Sequence, residues 1–354
     1  LEKKGMAKFT LSLDGPLNKI PEDLRSNSFD YVSRYQLIGE IITRYEKATG
    51  RKPKNILDVG GRGSFLDRLI DIPITILDSE AEESKGDTRG DGARMDIADG
   101  AYDIVITSDT LEHIPRSDRK AFVNELFRVS NDLVILCAPF DDHGAAAQEA
   151  LVQDFYRAFM GHPHRWLQEH ADFKIPNEAA TVKQFEKLSR STVAVRHSDV
   201  KLWRQLLTVS LVANDMGGEA LTKVAADINR YYNEHLLFKD FTDASYRTYI
   251  VGSKKHDLRY TPAKETINLE DMAVLNGLLA DFMTAIFGHK EQIPSVRAEL
   301  DANQNKITAL QNKLKDMTDR YNHVVLSRTW RYTEPPRKVV RGVGKIAKRI
   351  QRSN

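Results

Sequence analysis

The sequence predicts an α/β fold: a doubly wound, mostly parallel sheet with a helical insertion, followed by a C-terminal coiled coil. Three observations predict it. Short apolar runs at 56–59, 74–77, 104–106 and 133–138 are separated by segments of helical periodicity, the pattern of strands covered on both faces. A more polar, helical stretch follows and is interrupted by two β-branched and aromatic runs, 192–195 and 246–251, which complete the sheet around an insertion. From Ile293 the apolar positions recur at alternating spacings of three and four, a heptad rhythm that a globular surface helix would not keep.

Each element has its own signal. A helix over 28–48 carries Phe29, Tyr31, Val32, Tyr35, Ile38, Ile41, Ile42 and Tyr45 at helical spacing, and Gly50 and Pro53 end it. After the first strand, Phe65, Leu66, Leu69 and Ile70 predict a short helix over 64–70, and a further helix covers 119–129. Beyond Phe140 the helical pattern returns at 145–159, 177–188, 200–212 and 219–238, and again at 272–287. The coiled coil places Ile293, Val296, Leu300, Ile307, Leu310, Leu314, Met317, Tyr321 and Val324 on its seam, with Asn303 as a register-setting polar residue. The expected organisation is a helical segment at 1–54, the sheet domain at 55–257, a connecting helix at 258–288, the coiled coil at 289–326 and a basic amphipathic tail at 327–354.

Composition bounds the function. The 354 residues have room for about two domains, and 41% hydrophobic with 29% charged residues is an ordinary soluble balance. The net charge of +2 averages a neutral body with a basic end. Cys137 is the only cysteine, which excludes an intrachain disulfide and a multi-cysteine metal site; inside an apolar run it reads as a small buried hydrophobe. No apolar segment approaches the roughly 20 residues that span a bilayer, and no secretory signal is evident, so a cytoplasmic chain is expected.

The chemistry concentrates at strand ends. The first strand runs into Gly60, Gly61, Arg62 and Gly63, and Asp78 follows Asp58 at about the 20-residue interval of a nucleotide-binding acid. In an open α/β sheet the loops after residues 59, 77, 106 and 138 face one crevice. Those loops hold the glycine turn, Asp78 and Ser79, the segment Gly90, Asp91, Gly92, Ala93 that leads toward the third strand, and the run from Ser108 and Asp109 to His113.

This combination resembles the class I S-adenosylmethionine-dependent methyltransferases over 28–140, with weaker continuation to 251. Leu57, Asp58, Val59 and Gly60 are similar to the family's first motif, and Asp78 to its ribose-binding acid. Asp91 is similar to the residue that meets the adenine amine, and Ser108 through Ile114 to the family's post-strand signature. The resemblance implies a Rossmann-like domain that binds S-adenosyl-L-methionine through Arg34, Asp58, Gly60, Gly61, Gly63, Asp78, Ser79, Asp91, Gly92, Ser108, Asp109 and His113. One position departs: the family alternates three glycines where this chain has Arg62, whose Cβ enters a turn that approaches the cofactor.

Methyl transfer asks for an aligned acceptor and often a general base. His113 is the candidate by loop position, His143 follows the fourth sheet strand, and His164 lies with His162 in the insertion expected to cover the acceptor; each is also readable as a packing residue. Asp109, Asp141 and Asp142 could bind a divalent ion, but solvated or capping carboxylates are commoner and no metal is expected.

After the coiled coil, Ser327, Arg328, Trp330, Arg331, Thr333, Pro335 and Pro336 resemble a short motif of bacterial enzymes that build cell-surface polysaccharides. The tail then sets Val339, Val340, Val343, Ile346 and Ile350 against Arg341, Lys345, Lys348, Arg349 and Arg352. Such a helix suits an anionic membrane surface, a protein partner being the alternative; it has no aromatic platform for nucleic acid. The expected function is O-methylation of a sugar in a cell-surface glycan or its precursor, peripheral to the inner face of the membrane. Self-association or a glycosyltransferase partner would act through the coiled coil. The alternatives are a methyltransferase for a small aromatic or quinone-like metabolite, and a coiled-coil scaffold with a non-catalytic domain.

Overall fold

The computed structural model describes residues 8–81, 87–288 and 293–326. The chain divides into two compact units, 1–286 and 287–354. In the first unit the strands are β1 Lys8–Ser12, β2 Ile56–Val59, β3 Ile74–Asp78, β4 Thr88–Arg89, β5 Tyr102–Ser108, β6 Ser130–Pro139, β7 Ser191–Asp199, β8 Ser245–Ser253 and β9 Asp257–Thr261. The helices are α1 Phe29–Thr49, α2 Arg119–Val129, α3 Ala145–Met160, α4 Arg165–Phe173, α5 Glu178–Leu188, α6 Val200–Met216, α7 Glu219–Tyr231 and α8 Leu269–Gly288, which ends at the boundary with the second unit. The second unit contains α9, Ile293–Leu326.

Seven strands form the central sheet in the order β4-β3-β2-β5-β6-β8-β7. All neighbours are parallel except β8, which runs antiparallel to both β6 and β7. The chain leaves β2 toward β3 and β4, then returns to β5 on the other side, so the topological switch lies between β2 and β5. That is where the carboxyl ends of two neighbouring strands open a crevice.

The sheet is covered on both faces, and the apolar runs alternate between them. Ile56, Ile104, Ile106, Leu133, Ile135 and Cys137 pack with α1, α6 and α7, whereas Leu57, Val105, Val134 and Leu136 pack with Phe122, Leu126 and Phe127 of α2 and Phe185 of α5. Continuous apolar strands follow from burial on both sides. Cys137 is buried and free, and burial pushes its thiol up to about 12, which makes it an inert packing residue.

Several expectations change. The helix over 64–70 is only a 3₁₀ turn, Leu66–Arg68, because Pro73 leaves no room for further turns before β3; Phe65, Leu66 and Ile70 are buried nonetheless. The helix over 219–238 ends at Tyr231 and continues as a π turn, Tyr232–Leu236, whose Asn233 amide donates to the carbonyls of Arg25 and Asn27 at 2.9 Å. α4 was not foreseen. The segment 1–54 is not purely helical, since β1 pairs in parallel with β9, and the boundary expected at 257/258 falls inside β9. The tail at 327–354 lies outside the described residues.

Candidate functional site

At the end of β2 the chain turns through two positions that admit only glycine. Gly60 has φ +80°, and a Cβ there would stand 2.2 Å from Thr110 Oγ1; a Cβ on Gly61 would stand 2.0 Å from the Asp58 carboxyl carbon. The turn is thus pressed against the loop after β5 on one side and against its own strand's acid on the other. Asp58 is fully buried, and neither carboxylate oxygen has a well-formed hydrogen bond among the described residues, the Ser64 hydroxyl being near it without meeting that geometry. Burial raises its pKa to about 7, with the negative Asp78 adding and Ser64 and Arg34 opposing.

Arg62 does not obstruct this turn. It is exposed, its guanidinium lies 3.3 Å from the Glu80 carboxylate, and it also donates to the Glu80 carbonyl at 3.4 Å. The departure from three glycines therefore ties the turn to the loop after β3. The Gly63 carbonyl accepts from the Tyr31 hydroxyl at 2.5 Å.

A cavity of about 400 Å³ lies beside the turn, lined by Gly60, Asp78, Ser79, Asp91, Gly92 and Thr110 together with the apolar walls Val59, Leu77, Ile114 and Phe122. Asp78 and Asp91 each brace their own loop, accepting the backbone N–H of Glu80 and of Ala93 at 2.8 Å. A larger hollow of about 770 Å³, walled by residues such as Asn18, Lys19, His235 and Lys264, includes none of the strand-end loops. The smaller cavity is the one placed at the switch point, where open α/β sheets bind ligands.

Of the residues expected to hold the cofactor, Arg34, Asp58, Gly61, Gly63, Ser108, Asp109 and His113 are not among the cavity's walls. Ser108 is buried at the end of β5. Arg34 lies 3.3 Å from Asp109, and both belong to an ion cluster centred on Arg247, which is 2% exposed. Arg247 donates from Nε to Asp109 at 2.8 Å, pairs with the same carboxylate through Nη2, and stands 2.8 Å from Asp30, which also accepts from Trp203 Nε1 at 2.9 Å. Burial would raise the Asp30 pKa, but Arg247 and Arg34 outweigh it and hold the carboxyl at about 2. Asp109, at φ +47°, is strained into the left-handed region at this junction. Sequence reasoning missed Arg247 and Asp30; a lone arginine inside the apolar run 246–251 was the available signal.

The three candidate bases separate. His143 Nε2 lies 3.2 Å from Glu178, which also pairs with Arg196 at 2.7 Å and accepts from Thr248 at 2.6 Å. That histidine ties a turn to α5 and the sheet. His164 precedes α4, where its backbone N–H donates to Gln153 and its ring sits edge-on to Tyr156 and Trp166; burial lowers its pKa. Neither His143 nor His164 lines the cavity. His113 is not among its walls either, but it stands three residues after Thr110 and directly before Ile114, which are. Its Nδ1 lies 3.2 Å from Glu169, and its Nε2 lies 3.2 Å from Nε2 of His170 on α4. Both ring nitrogens of His113 are therefore engaged, so it is not a free base. His170 was also missed, since nothing local distinguishes it on its helix.

No protein-family model matches the chain, and no curated protein matches it. Among solved structures, a SAM-dependent methyltransferase of Thermotoga maritima is similar at 11% identity, over 66% of this chain and 93% of that one, with a TM-score of 0.41. A SAM-dependent methyltransferase of Archaeoglobus fulgidus is similar at 15% identity, over 62% and 94%, with a TM-score of 0.37. A third, an N-methyltransferase of Haemonchus contortus solved with phosphomonomethylethanolamine and S-adenosylhomocysteine, shares 11% identity over 62% and 52%, with a TM-score of 0.38. These likenesses are distant, and the chemistry of the site rests on its own residues.

Proposed function

We propose that the protein is an S-adenosylmethionine-dependent methyltransferase that methylates a hydroxyl of a sugar in a cell-surface glycan or its precursor. The observation that carries the reading is the buried, unpartnered Asp58 carboxylate beneath a turn that only glycine can form. An orphaned acid of this kind calls for a cationic partner, and the amino-acid end of S-adenosylmethionine supplies an ammonium group. The remaining residues fit the rest of that cofactor: Asp78 and Ser79 suit ribose hydroxyls, and Asp91 between Leu77, Ile114 and Phe122 suits a flat base with an exocyclic amine.

When bound, the cofactor supplies an electrophilic methyl group on a sulfonium. Gly60 and Gly61 let the backbone approach it, Asp58 and Asp78 orient its two ends, and Thr110 packs the turn. Activation of the acceptor falls to the loop that continues from the cavity wall, with His113 facing His170.

The glycan assignment is supported by the C-terminal segment. α9 runs for 34 residues, and Ile307, Leu310, Leu314, Met317 and Tyr321 are exposed on it, as a helix awaiting coiled-coil partners would present them. A second copy or a glycosyltransferase would complete it, and the basic 327–354 tail would rest on an anionic membrane surface. Among the described residues no helix is long and apolar enough to cross a membrane.

Calorimetry with S-adenosylhomocysteine tests the cofactor: one site per chain is expected, and absence of heat and of thermal shift would leave the scaffold alternative. Labelled S-adenosylmethionine and a membrane extract test the acceptor, with label expected in glycan or its lipid-linked precursor; label confined to small quinone-like products would refute the assignment. Removing residues 338–354 should abolish sedimentation with vesicles containing anionic lipid, each basic residue near the surface contributing about 1 kcal/mol. Unchanged sedimentation would refute the tether.

A further inference from the structure

We propose that Glu112, His113 and His170 form a binding site for a divalent transition cation of the zinc class, its first two residues lying in the chain between Thr110 and Ile114 of the cavity wall. Their ligand atoms, one from each side chain, lie within 4.8 Å of one another. The two imidazoles turn their Nε2 atoms toward each other at 3.2 Å. Two nitrogens bound tetrahedrally to zinc at 2.0–2.1 Å stand about 3.3 Å apart, so this separation is the bite that a cation requires.

The surroundings have the form of a built metal site. Each imidazole is held from behind by a carboxylate on Nδ1: Glu149 of α3 at 2.9 Å from His170, and Glu169 of α4 at 3.2 Å from His113. Such carboxylate–histidine pairs orient ligand histidines and leave Nε2 free for a metal. Glu149 is itself fixed by the Tyr246 hydroxyl at 2.6 Å. Four separate segments thus converge on two ring nitrogens.

Glu112 supplies the third ligand and the strongest argument. It is completely buried, and neither carboxylate oxygen has a partner among the described residues. A hydrogen bond between the two histidines would account for their approach, but it would leave this buried acid unexplained. A cation satisfies all three groups at once. Two nitrogens and one oxygen also suit the zinc class better than magnesium or calcium.

Three protein ligands leave one position open, and the His113 side chain, 31% exposed, provides access. An acceptor hydroxyl bound there would ionise more readily, its proton passing to bulk water; its oxygen would form the new C–O bond as the methyl C–S bond breaks and the electron pair returns to sulfur. This use of the metal rests on the methyltransferase reading, whereas metal binding itself does not.

The test uses the full chain, untagged, stripped with chelator and titrated with ZnCl₂ and CoCl₂. One equivalent is expected, with Co²⁺ developing visible ligand-field absorption. His170→Ala should weaken binding by about 100-fold or more, Glu112→Gln and the positioning variant Glu149→Gln by about 10- to 100-fold, and His143→Ala not at all. Far-ultraviolet circular dichroism and a cooperative thermal transition check that each variant is folded, independently of cofactor binding. If folded wild-type protein takes up neither metal, or if His170→Ala binds them unchanged, the proposal is wrong and the cluster is a proton-sharing network.

Discussion

Replacing Arg247 with methionine will destabilise the protein by about 3–5 kcal/mol, the cost of breaking a buried ion pair from one side. The guanidinium is 2% exposed and is flanked by Asp109 and Asp30, two partly buried acids that would be left with Arg34 as their shared cation. Methionine preserves much of the volume, so the loss reports charge rather than a cavity. Adding Asp109→Asn to the Arg247→Met variant should recover part of it, because Asp30 then keeps Arg34, 3.8 Å away, as its counter-ion and one charge of each sign remains. Urea unfolding at pH 7 measures both; a single variant within about 1 kcal/mol of wild type would show the cluster to be energetically idle. The pH dependence has a definite sign. Asp30 is held at about 2 against an ordinary 3.8, so its contribution is complete above 3.8 and is lost as pH falls through 2.

Asp58→Asn separates cofactor binding from stability. With its pKa raised by burial from 3.8 to about 7, Asp58 stays protonated in the folded chain where the unfolded chain has already ionised. Unfolding therefore releases a proton between these values, and stability falls as pH rises from about 4 to about 7, by roughly 4 kcal/mol for this one group. Asparagine cannot ionise. The stability of Asp58→Asn relative to wild type should climb across that window and level off above pH 7, because contributions from the other buried acids are common to both proteins. Above pH 7, where Asp58 of the wild type is ionised, the variant's affinity for S-adenosylhomocysteine should be about 10- to 100-fold below wild type, the loss of one charge-assisted bond. A relative stability that is flat with pH would mean that Asp58 is ionised and already paired. Unchanged affinity would remove the observation on which the cofactor reading stands.

These two residues differ in how they could be found. Asp58 stands in a contiguous stretch whose strand, turn and acid are all local, so its place was readable from the chain. Arg247 meets Asp109 across 138 positions. Its partner could not be named until β8 was known to lie antiparallel beside β6. His170 belongs with Arg247: it reaches His113 across 57 positions, carried there by a helix the sequence did not announce. The catalytic expectations fared accordingly. His143 and His164 were chosen because they follow a strand or sit in the insertion, but chain position says nothing about which neighbour takes the ring nitrogen.

By itself, the sequence determined six of the seven strands of the sheet, all but the two-residue edge strand β4, and its long helices, because apolar runs and helical periodicity are properties of neighbouring residues and survive any later packing. It also determined the glycine turn and the acids at the strand ends, where backbone conformation demands particular residue types within a few positions. The tertiary structure alone decided that β1 completes a small sheet with β9, although Phe9, Leu11 and Leu13 alternate plainly enough to mark a strand. It alone decided that Arg62 points toward Glu80, that Arg34 belongs to an ion cluster, and that two histidines face each other over a buried acid. These are meetings between charged or polar groups far apart in the chain. Their energies depend on distance and burial, which do not exist until the sheet order has brought the segments together.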